Sequence, residues 1–184
     1  MIENCNISII ITNYNKAKFL EKNLSSVTKQ NIKKYEIIFY DDSSTDDSIN
    51  IVNKFKRVRL IQNLKKNDKK SPPLNQINGI IKAFKLSKGN IICLLDSDDI
   101  FKENKLKKIL SYFNNHYKKS FVVNLPVTKK KFHLKRINSN ESTWPTIFPT
   151  SCISFRRSFF TKYLKYIKKN NFYNLEIDAR LLIY

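Results

Sequence analysis

Ile91-Ile92-Cys93-Leu94-Leu95-Asp96-Ser97-Asp98-Asp99 decides the fold: five apolar residues in a row, then three carboxylates in four positions. A short apolar run of this length reads as a strand buried on both faces. The carboxylates at its end repel one another, and desolvation pushes protons onto them. A divalent cation resolves that conflict, because hard cations take carboxylate oxygens. Open α/β sheets also place their ligands at strand ends. The plainer alternative is a solvated turn in which Asp98 or Asp99 caps the next helix.

A second acidic strand end strengthens the cation reading. Tyr35-Glu36-Ile37-Ile38-Phe39-Tyr40 is followed by Asp41-Asp42-Ser43-Ser44-Thr45-Asp46. Ser44 or Thr45 serves as a helix cap, with Asp46 and Asp47 in the first turn. Capping does not account for Asp41 and Asp42. Two such ends in one small α/β domain imply a shared polar crevice.

Working outward, strands and helices alternate. Strand 7–11 precedes a helix over 17–27, and strand 36–40 precedes a helix over 46–55. Strand 58–61, a polar loop over 63–71 and a helix over 74–86 follow, the last closing near Gly89. Strand 91–95 then leads to a helix over 103–116. Repeated β-α units give an α/β fold with a mostly parallel sheet flanked by helices. The second half is more mixed. Residues 121–127 read as a strand, and the basic 129–149 stretch as a hairpin or mobile loop. Residues 155–167 are helical by period, and 175–184 turn into a last helix. The expectation is one domain over 1–184, with a smaller mixed region at 116–184.

The chain has 184 residues, enough for one domain with a real core. Its formal charge is +20, from 35 basic and 15 acidic residues. Lys, Asn and Ile abound while Gly occurs twice, as an A/T-rich coding sequence produces. Attraction to anionic lipid, phosphorylated ligands or nucleic acid is the functional reading of that charge. No nucleic-acid motif accompanies it, so no specific nucleic-acid partner is expected. Cys5, Cys93 and Cys152 lack zinc spacing and read as reduced thiols of a cytoplasmic protein. There is no basic leader before the first strand, and no apolar run nears the roughly 20 residues of a membrane span.

Three segments carry a resemblance to glycosyltransferase family 2. Ile9-Ile10-Ile11-Thr12-Asn13-Tyr14-Asn15 resembles the family's opening strand and turn. Asp41-Asp42-Ser43-Ser44-Thr45-Asp46 resembles its acidic loop. Lys88 to Asp99 resembles its second acidic strand end, the DxD motif. The match covers about the first 115 residues well.

The resemblance implies a GT-A fold and inverting transfer of a sugar from a nucleotide donor, a UDP-sugar above others, to an acceptor hydroxyl. The part over 1–115 would bind the donor, and 116–184 would face the acceptor, a glycan or lipid-linked glycan. Thr12 and Tyr14 would line the base pocket, with Asp42 accepting from a ring N–H, since a carboxylate is acceptor-only. Asp41 would stand behind Asp42. Asp96 would contact ribose and metal, with Asp98 and Asp99 as metal contacts for Mg²⁺ or Mn²⁺. Lysines of the 65–70 loop would assist or, for most of them, form a solvated loop. A late acidic segment supplies the general base: Asp178 first, Glu176 second, with an N-cap or an ion pair to Arg180 as Asp178's alternative role. Trp144 would pack or line an acceptor groove. The site would be cytoplasmic, at the membrane face where lipid-linked acceptors lie.

The chain departs from the family pattern in three places. Ser43 stands where glycine is common, Thr12 where proline is common, and Asn75-Gln76-Ile77-Asn78-Gly79 only partly echoes a family stretch. The chain also stops near the last helix, as a minimal or shortened catalytic domain would. Two other readings remain open from sequence: a catalytically silent basic binding module, and a sugar-phosphate nucleotidyltransferase. The latter lacks its Gly-rich phosphate loop, since Asn13-Tyr14-Asn15-Lys16 stands there instead.

Overall fold

The computed structural model describes residues 6–64, 71–127, 149–167 and 176–183. Its first half alternates β1 (Ile7–Asn13), α1 (Ala17–Thr28), β2 (Tyr35–Asp41), α2 (Ser48–Asn53), β3 (Val58–Gln62), α3 (Pro72–Leu86), β4 (Ile91–Asp96) and α4 (Lys105–Asn115). β5 (Phe121–Val123), a 3₁₀ turn (Thr150–Cys152), β6 (Ile153–Arg156), α5 (Arg157–Ile167) and α6 (Ile177–Ile183) follow. The six strands form one sheet in the order β3-β2-β1-β4-β6-β5. β1, β2, β3 and β4 pair in parallel, while β6 runs antiparallel to both β4 and β5.

Alternation along the strands explains the two cores. Ile7, Ile9 and Ile11 join Ile37, Phe39, Cys93 and Leu95 against α1, α2 and α4. Ile10, Ile38, Tyr40, Ile92 and Leu94 point the other way, toward α3, α5 and α6. Both faces are covered, which is why these strands read as unbroken apolar runs. Each fully buried Ile contributes about 1.5–3 kcal/mol relative to exposure.

The same parity aims the polar strand ends. Thr12 is in register with Tyr40 on one side and Asp96 on the other. All three therefore share the α3 and α6 face at the C-terminal edge. Asn13 and Asp41, also in register, face the opposite side. The strand order reverses between β1 and β4, the place where such sheets open a crevice.

The structure corrects four expectations. Residues 153–156 form a strand, not the start of a helix; Ile153, Ser154 and Phe155 are buried in the ladder between β4 and β5. The run Cys152-Ile153-Ser154-Phe155 is too short for periodicity to separate strand from helix. β5 ends at Val123, with Leu125 and Val127 exposed beyond it. α3 starts two residues early, at Pro72, where fixed φ and a missing N–H suit the first turn. Gly89 is not a left-handed helix cap, since no glycine has positive φ. A Cβ there would lie 2.4 Å from the Ser8 backbone nitrogen, so glycine is required by close approach to β1. Gly79 is similar: a Cβ on it would lie 2.5 Å from Cδ1 of the Tyr40 ring. All but the last residue of the expected 129–149 loop, the 65–70 lysines, Cys5 and Trp144 lie outside the described residues.

Candidate active site

A cleft of about 1090 Å³ opens at the C-terminal edge of β1, β2 and β4. It brings together Thr12, Tyr14, Asp42, Asp96, Asp98, Glu176 and Asp178. These seven come from four segments spread over the chain. Asp41 and Asp99 do not line it.

At one end lie β1, β2 and the loop after β2. Tyr14 is 46 % exposed, so its ring is open to the cleft and not packed in the core. Asp42 accepts from Asn63 Nδ2 at 3.1 Å. Burial holds the Asp42 carboxyl above its usual range, partly offset by that hydrogen bond and by the Lys82 ammonium. Lys82 in turn donates to the Tyr40 hydroxyl at 3.0 Å.

Asp41 braces the wall from behind. Its Oδ1 accepts from Asn13 Nδ2 at 2.9 Å and from Ser44 Oγ at 2.6 Å, and its Oδ2 from the Ser44 N–H at 2.9 Å. Ser44 thus links two loops instead of capping α2. Asp46 holds Ala17 N–H, at 2.9 Å, and Ser48 N–H, at 3.0 Å. Its slight burial works to raise its pKa, but the hydrogen bonds from Ser48, Ala17 and its own loop hold it low. Ser43 has φ 63°, the left-handed conformation a glycine takes most readily. Its hydroxyl donates to the Asn63 carbonyl, which anchors the strained turn.

The middle of the cleft is acidic. Asp96 Oδ1 accepts from Gln76 Nε2 at 2.8 Å, and the Asp96 N–H donates to Ser151 Oγ at 2.9 Å. Burial first, then the charges of Asp99, Asp98, Asp178 and Glu176, push the Asp96 carboxyl up to about 7. Asp98 is exposed and meets the Lys16 ammonium at 2.7 Å. Asp99 turns from the cleft, its N–H donating to the Asp96 carbonyl at 3.1 Å.

The far side is built by α6 and the 3₁₀ turn. Asp178 lies in the first turn of α6 and is 5 % exposed, while Glu176 before it is exposed. Ile177 and Leu181 seat α6 on the sheet, and so fix Asp178 at the cleft wall. The 3₁₀ turn is held by Lys105, whose ammonium donates to the Ser151 carbonyl at 2.6 Å and Asn124 Oδ1 at 2.9 Å. Burial lowers the Lys105 pKa.

The donor set fits a hard divalent cation. Burial, and after it the crowded charges of its neighbours, push Asp96 toward protonation, which a cation would counter, and a cationic group already rests on Asp98. Among the described residues no three His, Cys, Asp or Glu side chains form a complete metal cage. None is needed, since Mg²⁺ is commonly held by one or two carboxylates plus substrate phosphates.

Sequence reading missed several residues here. Lys16, Asn63, Gln76, Lys82, Lys105 and Ser151 reach the site residues only through the fold. Two had a signal: Gln76 lies in the stretch that partly echoes the family pattern, and Ser151 ends the stretch from Trp144 that lies where family members often meet the acceptor.

Strand order, helices on both faces and a polar crevice at the switch point define an α/β domain of the GT-A type. Residues 8–179 match the family model for glycosyl transferase family 2, and the chain belongs to that family. An uncharacterised glycosyltransferase of Nostoc is 32 % identical over 142 residues, 74 % of this chain and 39 % of the relative. The Escherichia coli UDP-Glc:alpha-D-GlcNAc-diphosphoundecaprenol beta-1,3-glucosyltransferase WfaP is 36 % identical over 127 residues, 64 % of this chain and 49 % of the relative. The chain therefore spans less than half the length of these two relatives. Among solved structures, residues 1–349 of S. aureus TarS in complex with UDP superimpose with a TM-score of 0.67 at 20 % identity, over 86 % of this chain and 48 % of that one. The Pyrobaculum calidifontis mannosyltransferase PcManGT, in complex with GDP-Man and Mn²⁺, gives 0.69 at 17 % identity, over 88 % and 47 %. At these identities the two structures bear on the fold alone.

Proposed function

We propose that this chain transfers a sugar from a nucleoside diphosphate donor, a UDP-sugar, to an acceptor hydroxyl with inversion. The observation that carries this reading is the convergence of Asp96 and Asp98 with Glu176 and Asp178 in one cleft, with Tyr14 and Asp42 in the same cleft. The names of relatives support it: WfaP acts with UDP-Glc on a diphosphoundecaprenol glycan, and TarP is a poly(ribitol-phosphate) beta-N-acetylglucosaminyltransferase. A glycan or lipid-linked glycan is the acceptor that fits, met at the cytoplasmic membrane face. Among the described residues no helix is long and apolar enough to cross a membrane. The chain's +20 charge supports docking on an anionic surface.

Each residue has a role in this reading. Tyr14 stacks on the base and Asp42 accepts its ring N–H, with Thr12 beside them. Asp96 meets the ribose and, with Asp98, the diphosphate's cation; Asp99 adds its charge from behind the turn. Bound Mg²⁺ or Mn²⁺ supplies Lewis-acid stabilisation of the charge that develops on the leaving diphosphate. Asp178 takes the proton of the acceptor hydroxyl, held there by α6, with Glu176 as its neighbour at the mouth.

Calorimetry of UDP and GDP against wild type and Asp98→Ala, each with Mn²⁺ and with EDTA, tests this directly. The expected result is UDP binding that needs Mn²⁺ and is lost in Asp98→Ala. Binding of neither nucleotide by folded wild type sinks the reading.

A further inference from the structure

Asn23 sits in the middle of α1 and is fully buried, flanked in sequence by the core residues Leu20, Leu24 and Val27. Its Nδ2 donates to the Asp96 carbonyl at 3.0 Å and to the Asp99 carbonyl at 2.7 Å. These oxygens bracket the acidic turn. Two more polar side chains continue along the same segment, one on α1 and one just past its end. Ser26 Oγ accepts the Phe101 N–H at 3.0 Å. Gln30 Nε2 donates to the Lys102 carbonyl at 2.9 Å, and its Oε1 accepts the Leu106 N–H at 3.0 Å. The three-residue spacing puts Asn23 and Ser26 on one stripe of the helix, and Gln30 follows just past its C-cap.

The turn needs such a hold. Past the end of β4 the backbone leaves its ladder, and buried carbonyls must find other donors. Asp96, Asp98 and Asp99 also repel one another across the turn. A cationic donor would satisfy the carbonyls but compete for the carboxylates. The neutral Asn23 amide holds the main chain and leaves the acids to the cleft. Among the described residues, Asn23 Oδ1 has no hydrogen-bond partner. A buried acceptor left so is a cost in stability, and it accompanies the two donor bonds.

We propose that Asn23 is a positioning residue: through the Asp96 and Asp99 carbonyls it fixes where the Asp96 and Asp98 carboxylates meet the donor's cation and diphosphate. This rests on the donor-site reading above. It assigns to the first helix, whose side chains do not line the cleft, control over the acidic centre.

Asn23→Leu keeps most of the volume and removes both donors. Gln30→Leu removes a donor and an acceptor just past the end of the same helix, but those lead to the start of α4 and not to the acidic turn. UDP affinity is measured by calorimetry with Mn²⁺ and with EDTA, and hydrogen exchange is followed over 96–100 in the unliganded proteins. Asn23→Leu is expected to weaken Mn²⁺-dependent UDP binding by about tenfold or more. Its turn should exchange faster than wild type. Gln30→Leu should lower the melting temperature yet keep UDP affinity within about twofold. Asn23→Ser, which keeps one donor, stands in if the leucine variant does not fold, with the same direction expected. An Asn23 variant that binds UDP with Mn²⁺ as wild type does overturns the proposal, and so does an equal loss in Gln30→Leu. Wild type that shows no Mn²⁺-dependent UDP binding overturns the donor-site reading instead, and the exchange over 96–100 then decides whether Asn23 holds the turn.

Discussion

The Lys16 ammonium rests 2.7 Å from Asp98 Oδ2, joining two residues 82 positions apart across the mouth of the cleft. Their side chains are 43 % and 40 % exposed, so water screens the pair and its worth is modest. Its position matters more than its strength. It puts one positive charge at the acid proposed to face the donor's cation.

Lys16→Met is therefore expected to tighten the binding of Mn²⁺ alone, without nucleotide, by about two- to fivefold, the range an exposed pair supplies. Titration calorimetry of the two proteins with MnCl₂ measures this. Weaker Mn²⁺ binding in Lys16→Met would show that the ammonium supports cation binding and does not compete with it.

The acidic cluster predicts an unusual pH dependence in metal-free protein. The Asp96 carboxyl is raised from 3.8 to about 7 on folding. Between those values the folded state keeps a proton that the unfolded chain has released. Stability from this group is present below about pH 4, falls as pH rises toward about 7, and is level above that. The full loss amounts to at most about 4 kcal/mol. Asp96→Asn should match wild type in denaturant titrations near about pH 4.5 with EDTA, and exceed it near about pH 7.5. A difference between the two proteins that does not change with pH would refute this.

Ser43 gives a test of backbone strain. Ser43→Ala and Ser43→Gly both lose the hydroxyl's bond to the Asn63 carbonyl, but only glycine relieves the positive φ. The glycine variant should be about 1 kcal/mol more stable than the alanine variant, from the left-handed penalty alone. For a chain of this size that is about 2–4 °C in melting temperature. Equal melting temperatures would mean the turn relaxes out of the left-handed region.

Much of the fold was legible because its signals are local. The apolar runs at Ile7, Ile37 and Ile91 each end in polar residues, and each is a parallel strand of the observed sheet. β6 was illegible because four apolar-rich residues beside a helical pattern carry no period of their own. In the site, the acidic strand ends could be read, since clustered carboxylates are costly anywhere. The split between Asp42, which lines the cleft, and Asp41, which braces the wall behind it, comes from strand parity and register. The Gln76, Ser151 and Asn23 contacts with the Asp96 segment depend on how α3, the 3₁₀ turn and α1 pack. No spacing in the chain encodes those approaches. Asn23, Ser26 and Gln30 did leave a trace: polar residues at helical spacing, interleaved with the buried Leu20, Leu24 and Val27.

Gly79 and Gly89 are the chain's two glycines, and each lies where an added carbon would strike a neighbour. At position 43 a serine occupies a conformation that favours glycine, at the cost of strain its hydroxyl helps offset. A composition this poor in glycine thus accommodates a strained torsion angle, but not a collision with backbone or a buried ring. The two glycines mark that limit. They are the sites where this composition has no room left to move, and where a mutational scan should find the least tolerance per atom added.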